Sequence, residues 1–436
     1  LRHCQRRAPA AAPVPRARKT GPAVPDRTSS IGGAGAPVPA PSGTLRPSIA
    51  ILVAVTAVNP LALNLYVPSM PSVQATFSAP ASLVQLTLSL GLVGTGLIQL
   101  AIGPLSDQFG RRPVLLWGLV FAVVASIYCS ITPSLNGLIV GRVIQVAGGA
   151  AGLVLGRAIV RDLHKPSEAA SMLGYVTMGM AMAPMIAPTI GGMLDDFASW
   201  RAGFAFTAVF IIIVLAWAWY SLPETNQHIG QSPSIRAMLG DYKLLLGLKS
   251  FWVFTMVTAF TGGSFFAFLG GAPYVSRHIF DLGATEYGLY FMLVAIGYSL
   301  GNYITGRYAS RLGLFRMILG GGLVTLGSCA SIVLLSLVGI ETPATLFGGM
   351  FFLGAGNGMV MPSASAGVVS VLPRLAGSAS GLSGAIVTLI CALFSYVVAF
   401  VLTDSLMPMG LLMTASGLAI LVFAIMVPSV LQDADA

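Results

Sequence analysis

Apolar runs of about 20 residues recur through most of this chain, and each is long enough to cross the hydrocarbon core of a bilayer as a helix. We place twelve of them, at 48–69, 82–104, 113–132, 136–157, 169–193, 203–221, 250–273, 285–306, 314–337, 343–366, 376–401 and 408–430. Because helices satisfy their own backbone hydrogen bonds in lipid, the pattern predicts an all-α membrane protein with twelve transmembrane helices.

The composition supports lipid as the solvent for most of the chain. Hydrophobic residues make up 56% of the 436 and charged residues only 8%, whereas a soluble domain has roughly 25% charged residues. The net charge of +9 does not indicate nucleic-acid binding, because the cations lie between apolar runs rather than on one basic face. We find no phosphate-binding loop and no His, Cys or carboxylate cluster, so we expect no metal, no other cofactor and no enzyme activity.

The positions of Lys and Arg predict the orientation in the membrane. With the N-terminus inside, Arg157 and eleven other cations fall in cytoplasmic segments, and only Arg201 and Arg277 fall outside. Cytoplasmic segments are normally the richer in Lys and Arg. We therefore expect a multi-pass protein of the inner (plasma) membrane, with both termini in the cytoplasm because the number of spans is even.

The segments outside the spans divide the chain. Residues 1–47 are rich in Pro and Arg and contain no apolar run, so we expect a disordered cytoplasmic tail or an over-extended gene model. The longest internal polar stretch, 222–249, predicts a cytoplasmic linker between an N-terminal half, 48–221, and a C-terminal half, 250–430. Residues 431–436 would form the cytoplasmic C-terminus.

A repeated loop supports this division into halves. GPLSDQFGRR follows span two and GRYASRLGLFR follows span eight, and three of their positions recur at the same spacing: Gly103, Asp107 and Gly110 against Gly306, Ser310 and Gly313. A duplication predicts two pseudo-symmetric six-helix halves, the plan of a transporter that rocks around a central site.

The first copy of this loop is a candidate gate. Gly103 and Gly110 would permit a tight turn, and Asp107 is placed to pair with Arg111 or with a helix end. Arg112 follows directly. The alternative is an ordinary turn with arginines that only set the orientation.

Span five carries a second candidate gate. Pro184, Pro188, Gly191 and Gly192 would break or thin the helix and let neighbouring helices approach closely. A kink without function is the alternative.

Arg142 is the one ionised side chain that we place inside a span, where a charge is costly. Span one places Asn64 at a similar depth, and no Asp or Glu falls within any predicted span. An uncompensated Arg142 predicts a positive cavity that favours anionic or zwitterionic compounds. Alternatively, its side chain could snorkel to the outer water.

Counting about 1.5 Å per residue places four further polar residues near the membrane midplane, Asn59, Gln145, Tyr298 and Asn357. Transporter sites lie at that depth, so we expect them to line a substrate cavity. Hydrogen bonds between helices are the alternative.

Sulfur and aromatic side chains could add an apolar wall to this cavity. Met178 and Met182 on span five and Phe265 on span seven suit a pocket for varied apolar compounds. Ordinary helix packing explains these residues equally well.

Several motifs resemble one family. GPLSDQFGRRP is similar to the signature loop of the major facilitator superfamily, and GRVIQVAGGAAG resembles its RxxQGxGAA motif, with Val146 where the family usually has Gly. APMIAPTIGG resembles its antiporter motif. LNLYVPSMP, which contains Asn64 and Tyr66, resembles the bicyclomycin/chloramphenicol-resistance (Bcr/CflA) exporters, as do GRAIVRDL and LAGSASGL. The resemblance covers roughly 48–430.

The resemblance implies the major facilitator fold and a monomeric secondary transporter that exports drugs or small amphipathic molecules by alternating access, with proton antiport. It adds Tyr66 to the substrate-binding candidates. The family usually has Asp where this chain has Asn64, so the proton carrier stays open, and Asp195, Asp196, Glu286 and Asp404 are the remaining candidates. The alternatives are an exporter or uptake carrier for a small metabolite, or a membrane protein without drug transport.

Overall fold

The computed structural model describes residues 47–164, 166–226, 229–230, 235–402 and 405–430. Nearly all of the predicted tail, the predicted C-terminus and Asp404 lie outside these ranges. The described part contains thirteen α-helices: α1 Ile49–Tyr66, α2 Met70–Phe77, α3 Ala81–Phe109, α4 Arg111–Ile131, α5 Leu135–Leu163, α6 Pro166–Phe197, α7 Trp200–Ser221, α8 Ile235–Leu246, α9 Lys249–His278, α10 Ala284–Leu337, α11 Pro343–Ser370, α12 Ala376–Val401 and α13 Met407–Ile425.

The predicted all-α membrane fold is confirmed. Eleven of the described helices are long and apolar enough to span a membrane. The longest, α10, contains Gly313 in a non-helical conformation (φ 77°, ψ 167°), and the predicted spans 285–306 and 314–337 lie on either side of it. The eleven helices therefore account for the twelve predicted spans.

The two copies of the repeated loop turn in the same way. Gly110, between α3 and α4, has φ 98° and ψ 152°, close to the values at Gly313. A positive φ is easy for glycine and costly for other residues. Gly103, in contrast, lies inside α3 with open space around it, so the prediction that it forms the turn is wrong.

The described helices pack mainly as two groups, α1–α7 and α9–α13. We name the two ends of the molecule after residues that lie there, the Gly110 end and the Asp195 end. One hydrophobic core near the Asp195 end contains buried residues of both groups, among them Phe204 and Phe268. Near the Gly110 end there are two separate cores, one in each group.

This arrangement joins the halves at the Asp195 end and divides their cores at the Gly110 end. The pair α3 and α12 also stays in contact between the halves, through Gln85 and Ser395 near the Asp195 end and through Gly96 beside the Ala385 carbonyl further along. The predicted linker is not wholly irregular, since it contains α8, whose Leu245 is buried in the core of the second group.

Candidate transport site and gates

The predicted pair at the Gly110 end forms. Arg111 Nη1 lies 2.6 Å from Asp107 Oδ1, and its Nε lies 3.1 Å from Asp162 Oδ2 at the end of α5. One guanidinium therefore connects the ends of α3, α4 and α5. These groups are partly exposed, so each ion pair contributes about 1 kcal/mol or less.

Glu224, just after α7, holds the start of α4. Its Oε1 accepts a hydrogen bond from the backbone N–H of Arg111 at 2.9 Å, and its Oε2 accepts one from the N–H of Arg112 at 3.0 Å. The first N–H groups of a helix have no partner within the helix, and a carboxylate there also benefits from the helix dipole. Arg112 in turn donates to the carbonyl of Trp219 at 2.7 Å.

These contacts, which we call the Gly110-end latch (Asp107, Arg111, Asp162, Glu224), join the ends of α3, α4 and α5 to the segment just after α7, and none of them involves α9–α13. Sequence reasoning did not identify Asp162 or Glu224. Asp162 could have been noticed as the acidic residue in GRAIVRDL. Glu224 could not have been predicted, because it is 113 positions away from Arg111 in the chain. The gating role of the latch stays a prediction.

The second candidate gate lies where α6 crosses between the halves. Pro184 and Pro188 do not interrupt α6, so the prediction of a broken helix is wrong. The prediction of close approach holds at Gly191, where an added Cβ would lie 1.9 Å from the carbonyl oxygen of Leu65 on α1. At Gly192 an added Cβ would lie 2.2 Å from the carbonyl oxygen of Ala284 on α10.

Hydrogen bonds join the halves beside these glycines. Thr189 Oγ1 donates to the Gly288 carbonyl at 3.0 Å. Asp196 Oδ2 accepts from both the N–H and the hydroxyl of Thr285, at 2.8 and 2.6 Å. We call this contact between α6 and α10 the Asp195-end junction.

Arg142 on α5 is completely buried, with 0% of its surface exposed. Its Nη1 donates to the carbonyl of Ala62 on α1 at 3.0 Å and to Gln145 Oε1 at 2.7 Å. Its guanidinium lies 4.6 Å from the ring centroid of Tyr66 and 5.7 Å from that of Phe204, and its Nε and Nη2 have no hydrogen-bond partner.

Neutral groups therefore surround this charge. No carboxylate among the described residues pairs with Arg142, which agrees with the expectation of an uncompensated cation. The alternative of a side chain that snorkels to the outer water is wrong, because no part of Arg142 is exposed.

The network continues to α4 and α1. Gln145 Nε2 donates to Ser126 Oγ on α4 at 2.7 Å, and Ser126 donates to the carbonyl of Ala122 at 2.6 Å. Asn59 Nδ2 donates to the carbonyl of Val146 at 2.8 Å. These bonds link α1, α4 and α5, as expected from the alternative prediction that Asn59 and Gln145 make hydrogen bonds between helices.

Asn64 does not interact with Arg142. Its Nδ2 donates to the carbonyl of Pro60 in its own helix at 2.8 Å, and its buried Oδ1 has no partner. Helix geometry gives the reason: residues advance by about 100°, so Ala62 and Tyr66 share the side that faces Arg142, whereas position 64 points to the opposite side. The similar depth predicted for Asn64 and Arg142 therefore does not bring their side chains into contact.

Asn357 is the counterpart in the second helix group. Its Oδ1 accepts from Thr325 at 3.4 Å and its Nδ2 donates to the carbonyl of Thr261 at 3.2 Å, so it joins α9, α10 and α11. It is 5% exposed. The substrate-binding role proposed for the buried residues Asn59, Asn64, Tyr66, Arg142, Gln145 and Asn357 stays a prediction.

Arg157 and Tyr298 occupy a different environment. Arg157 lies within α5, towards its end at Leu163, and its predicted cytoplasmic location stays a prediction. Arg157 is exposed, and Tyr298 on α10 is half-buried.

The sulfur and aromatic candidates differ in how exposed their side chains are. Met178 and Met182 on α6 are 66% and 57% exposed. Phe265 is half-buried and packs in an aromatic cluster, with ring centroids 5.6 Å from Phe266 and 6.2 Å from Phe291. The two methionines are therefore exposed, whereas Phe265 is held by its neighbours, and a substrate-binding role for all three stays a prediction.

Comparison with known proteins decides the family. The model described as Major Facilitator Superfamily matches residues 52–395. The chain belongs to this superfamily. The chloramphenicol resistance protein of Pseudomonas aeruginosa is 33% identical over 351 residues, which cover 76% of this chain and 81% of that protein. Multidrug resistance protein D of Escherichia coli (strain K12) is 28% identical over 380 residues, 85% of this chain and 93% of that protein.

Solved structures support the fold. A peptide transporter POT, solved in complex with sulfate, aligns with a TM-score of 0.70 over 88% of this chain and 94% of that chain, at 13% identity. The chain is thus a multi-pass membrane transporter of the major facilitator superfamily and not an enzyme. The predicted resemblance to the drug-resistance branch is confirmed by the names of its relatives.

For this superfamily member, the geometry separates two sets of candidates. Arg142, Gln145 and Asn59 hold helices together inside the first half, whereas Met178, Met182, Arg157 and Tyr298 are accessible.

Proposed function

We propose that this transporter exports drugs or other small amphipathic molecules by alternating access, as a monomer with proton antiport. The observation that carries the proposal is the unequal contact between the halves, which share a core at the Asp195 end and have separate cores at the Gly110 end. Rocking of two halves around a fixed site requires this asymmetry. The resistance proteins among the relatives support drugs as the cargo.

In this proposal the Gly110 end and both termini lie in the cytoplasm of a cell with the transporter in its inner membrane. A compound enters from the cytoplasm or inner leaflet into the space beside Arg157 and Tyr298. It contacts Met178 and Met182, whose flexible side chains adapt to varied apolar shapes. The compound leaves when the Asp195-end junction opens and the Gly110 end closes.

Export is tested in a bacterial host that lacks its own efflux pumps. Cells that produce the transporter are expected to hold less labelled chloramphenicol and to grow at a higher concentration of it than cells with an empty vector. Arg142→Ala serves as the inactive control, provided that immunoblotting finds it in the membrane at the wild-type level. If Arg142→Ala is absent from the membrane, Asp107→Asn takes its place.

Equal chloramphenicol content in cells with the wild-type protein and the empty vector would contradict export of this compound. Proton coupling needs a separate measurement in everted vesicles, where an ionophore that removes the pH gradient is expected to stop uptake. Unchanged uptake after the gradient is removed would exclude proton antiport and leave the export itself standing.

A further inference from the structure

The short helix α8 packs beside the beginning of two membrane-spanning helices. Its Leu245 is buried in the same core as Phe251, in the first turn of α9, and Ala379, in the first turn of α12. Both α9 and α12 are long and apolar enough to span a membrane. The position of Leu245 therefore places α8 at the level where these two spans begin.

A tryptophan marks the same level. Trp252 on α9 is 37% exposed, and its indole Nε1 donates a hydrogen bond to the Leu246 carbonyl at 2.8 Å. Because the last carbonyls of a helix have no partner within that helix, this bond fixes the end of α8 to α9. Trp is enriched where membrane meets water, since its ring is apolar and its N–H is polar. Trp252 thus indicates that α8 lies at the membrane surface.

The outward side of α8 is both apolar and positively charged. Leu239 and Leu246 are 57% and 41% exposed, and Lys243 between them is exposed as well. At about 100° per residue these three positions fall within about 60° of one another, and the buried Leu245 points elsewhere. Exposed leucines together with lysine are typical of helices that lie in a membrane interface.

Further cations surround this side of α8. Lys243, Lys249, Arg316 and Arg374 are exposed, and each directly adjoins in the chain a residue that packs on the core at the Gly110 end of the second group. None of the four forms an ion pair with a described residue. The acid in α8, Asp241, is half-buried. The surface is therefore positive and complements a negatively charged lipid head group.

We propose that the outward side of α8, formed by Leu239, Lys243 and Leu246, is a docking surface for anionic phospholipids of the adjacent leaflet. The two leucines contact the upper part of the acyl chains, and Lys243 and Lys249 pair with the charged head group. Because α8 lies in the segment that connects the two halves, bound lipid anchors this connection at the end where the cores of the halves are separate. The inference rests neither on the cargo nor on the direction of transport.

A fluorescent label at position 239 tests whether α8 contacts lipid. Leu239→Cys is introduced into full-length protein that carries Cys4→Ser and whose other native cysteines are buried, labelled with bimane and reconstituted in vesicles. Phospholipid with brominated acyl chains quenches labels that contact lipid, and acrylamide quenches labels in water. We expect quenching by brominated lipid, as at Leu393→Cys on the 56% exposed side of α12. Glu168→Cys, in the exposed first turn of α6, is the aqueous control.

The same label measures the preference for charge. Brominated phosphatidylglycerol and brominated phosphatidylcholine are compared, each in a background of the other lipid without bromine, which gives their relative affinity beside α8. A lysine near the surface favours anionic lipid roughly fivefold, so we expect phosphatidylglycerol to be preferred about fivefold or more. Lys243→Gln should reduce this preference severalfold. Arg277→Gln, which removes an exposed cation at the other end of α9, is the matched control and should leave it unchanged.

Several outcomes would overturn the proposal. Quenching by acrylamide without quenching by brominated lipid would mean that α8 faces water. Protection from both quenchers would mean that protein, such as a second copy of the chain, covers this side. Equal quenching by the two brominated lipids, or an equal effect of Lys243→Gln and Arg277→Gln, would exclude a site for anionic lipid. Leu246→Cys provides a second label position if Leu239→Cys does not fold, and no outcome depends on whether the protein exports chloramphenicol.

Discussion

Gly192→Ala is expected to open the Asp195-end junction. The added Cβ would lie 2.2 Å from the Ala284 carbonyl oxygen and 2.5 Å from its carbon. Close carbon–oxygen contacts in proteins begin at about 3.3 Å, so α6 and α10 must separate by about 1 Å. The obstacle is backbone on the other half of the molecule, which cannot rotate away as a side chain could.

The size of the effect follows from this overlap. Overpacking of a tight contact costs about 1–3 kcal/mol, and here the cost falls only on the state in which the two helices touch. The ratio of closed to open molecules should therefore fall roughly 5- to 150-fold. Gly174→Ala on the same helix is the matched control, because nothing lies within 4 Å of its added Cβ.

A buried reporter thiol measures this ratio. Ser276→Cys places it on α9 beside the cavity that Asp195 also lines, at a position that is 1% exposed. A membrane-impermeant maleimide is added at the predicted outer face, and the rate of labelling is compared between variants. The described native cysteines, Cys129, Cys329 and Cys391, are buried and give little background, which the parent without the reporter verifies.

Labelling should be faster in Gly192→Ala, in proportion to its larger open fraction, because the labelling rate follows the open population when opening is fast. The same rate in Gly192→Ala and Gly174→Ala would refute the reasoning, because it would mean that α6 and α10 accommodate a methyl group without parting. A rate that rises equally in both variants would refute it as well.

Three further outcomes are expected. Glu224→Gln removes the charge that caps α4 at Arg111 and should lower stability by about 0.5–2 kcal/mol, seen as a lower melting temperature in detergent. Gln145→Leu leaves Arg142 without its side-chain acceptor and should cost about 1–3 kcal/mol in the same assay. Burial alone would raise the pKa of the Glu341 carboxyl, but the hydrogen bonds that it accepts from Ser336, Ser405 and the Leu406 N–H lower that pKa. The stability that these hydrogen bonds give the protein should thus be fully present above the usual pH range of carboxyl titration and should be lost as the pH falls through the lowered pKa. Glu341→Gln should lack this pH dependence.

The sequence predicted the features that depend on local composition. Membrane spans follow from hydropathy alone, because each helix is buried in lipid without reference to its partners. The turn at Gly110 and its repeat at Gly313 followed from spacing, and the Asp107–Arg111 ion pair joins residues that are close in the chain, on either side of Gly110. Each of these features depends on residues that are close together in the chain.

Features that depend on packing between distant helices escaped sequence reasoning. The Glu224 cap and the unpaired oxygens of Ser276 and Tyr287 arise where segments from different parts of the chain meet. The direction in which the Asn64 side chain points could not be predicted from the sequence for a related reason. Depth in the membrane is readable from residue counts, but the side of the helix that faces Arg142 becomes clear only once Ala62 and Tyr66 are seen beside it.

That geometry makes Asn64→Asp a decisive substitution. If position 64 faced Arg142, a carboxylate there would pair with the guanidinium, and each change would alter the effect of the other. On the opposite side of α1, the new buried charge instead does not pair with Arg142 and should destabilise the protein equally whether residue 142 is charged or not. A double-mutant cycle with Arg142→Gln, read as melting temperatures in detergent, should therefore give a coupling within about 0.5 kcal/mol of zero.

Asn59→Asp is the matched variant on the side that does face α5, where Asn59 already bonds the Val146 carbonyl one turn from Arg142. A carboxylate there loses that bond but lies near the uncompensated cation, so its cycle with Arg142→Gln should show coupling of about 0.5–3 kcal/mol. Strong coupling at position 64 together with none at position 59 would reverse the assignment of the two helix sides. It would also make position 64 a place where a carboxylate could link Arg142 to a proton.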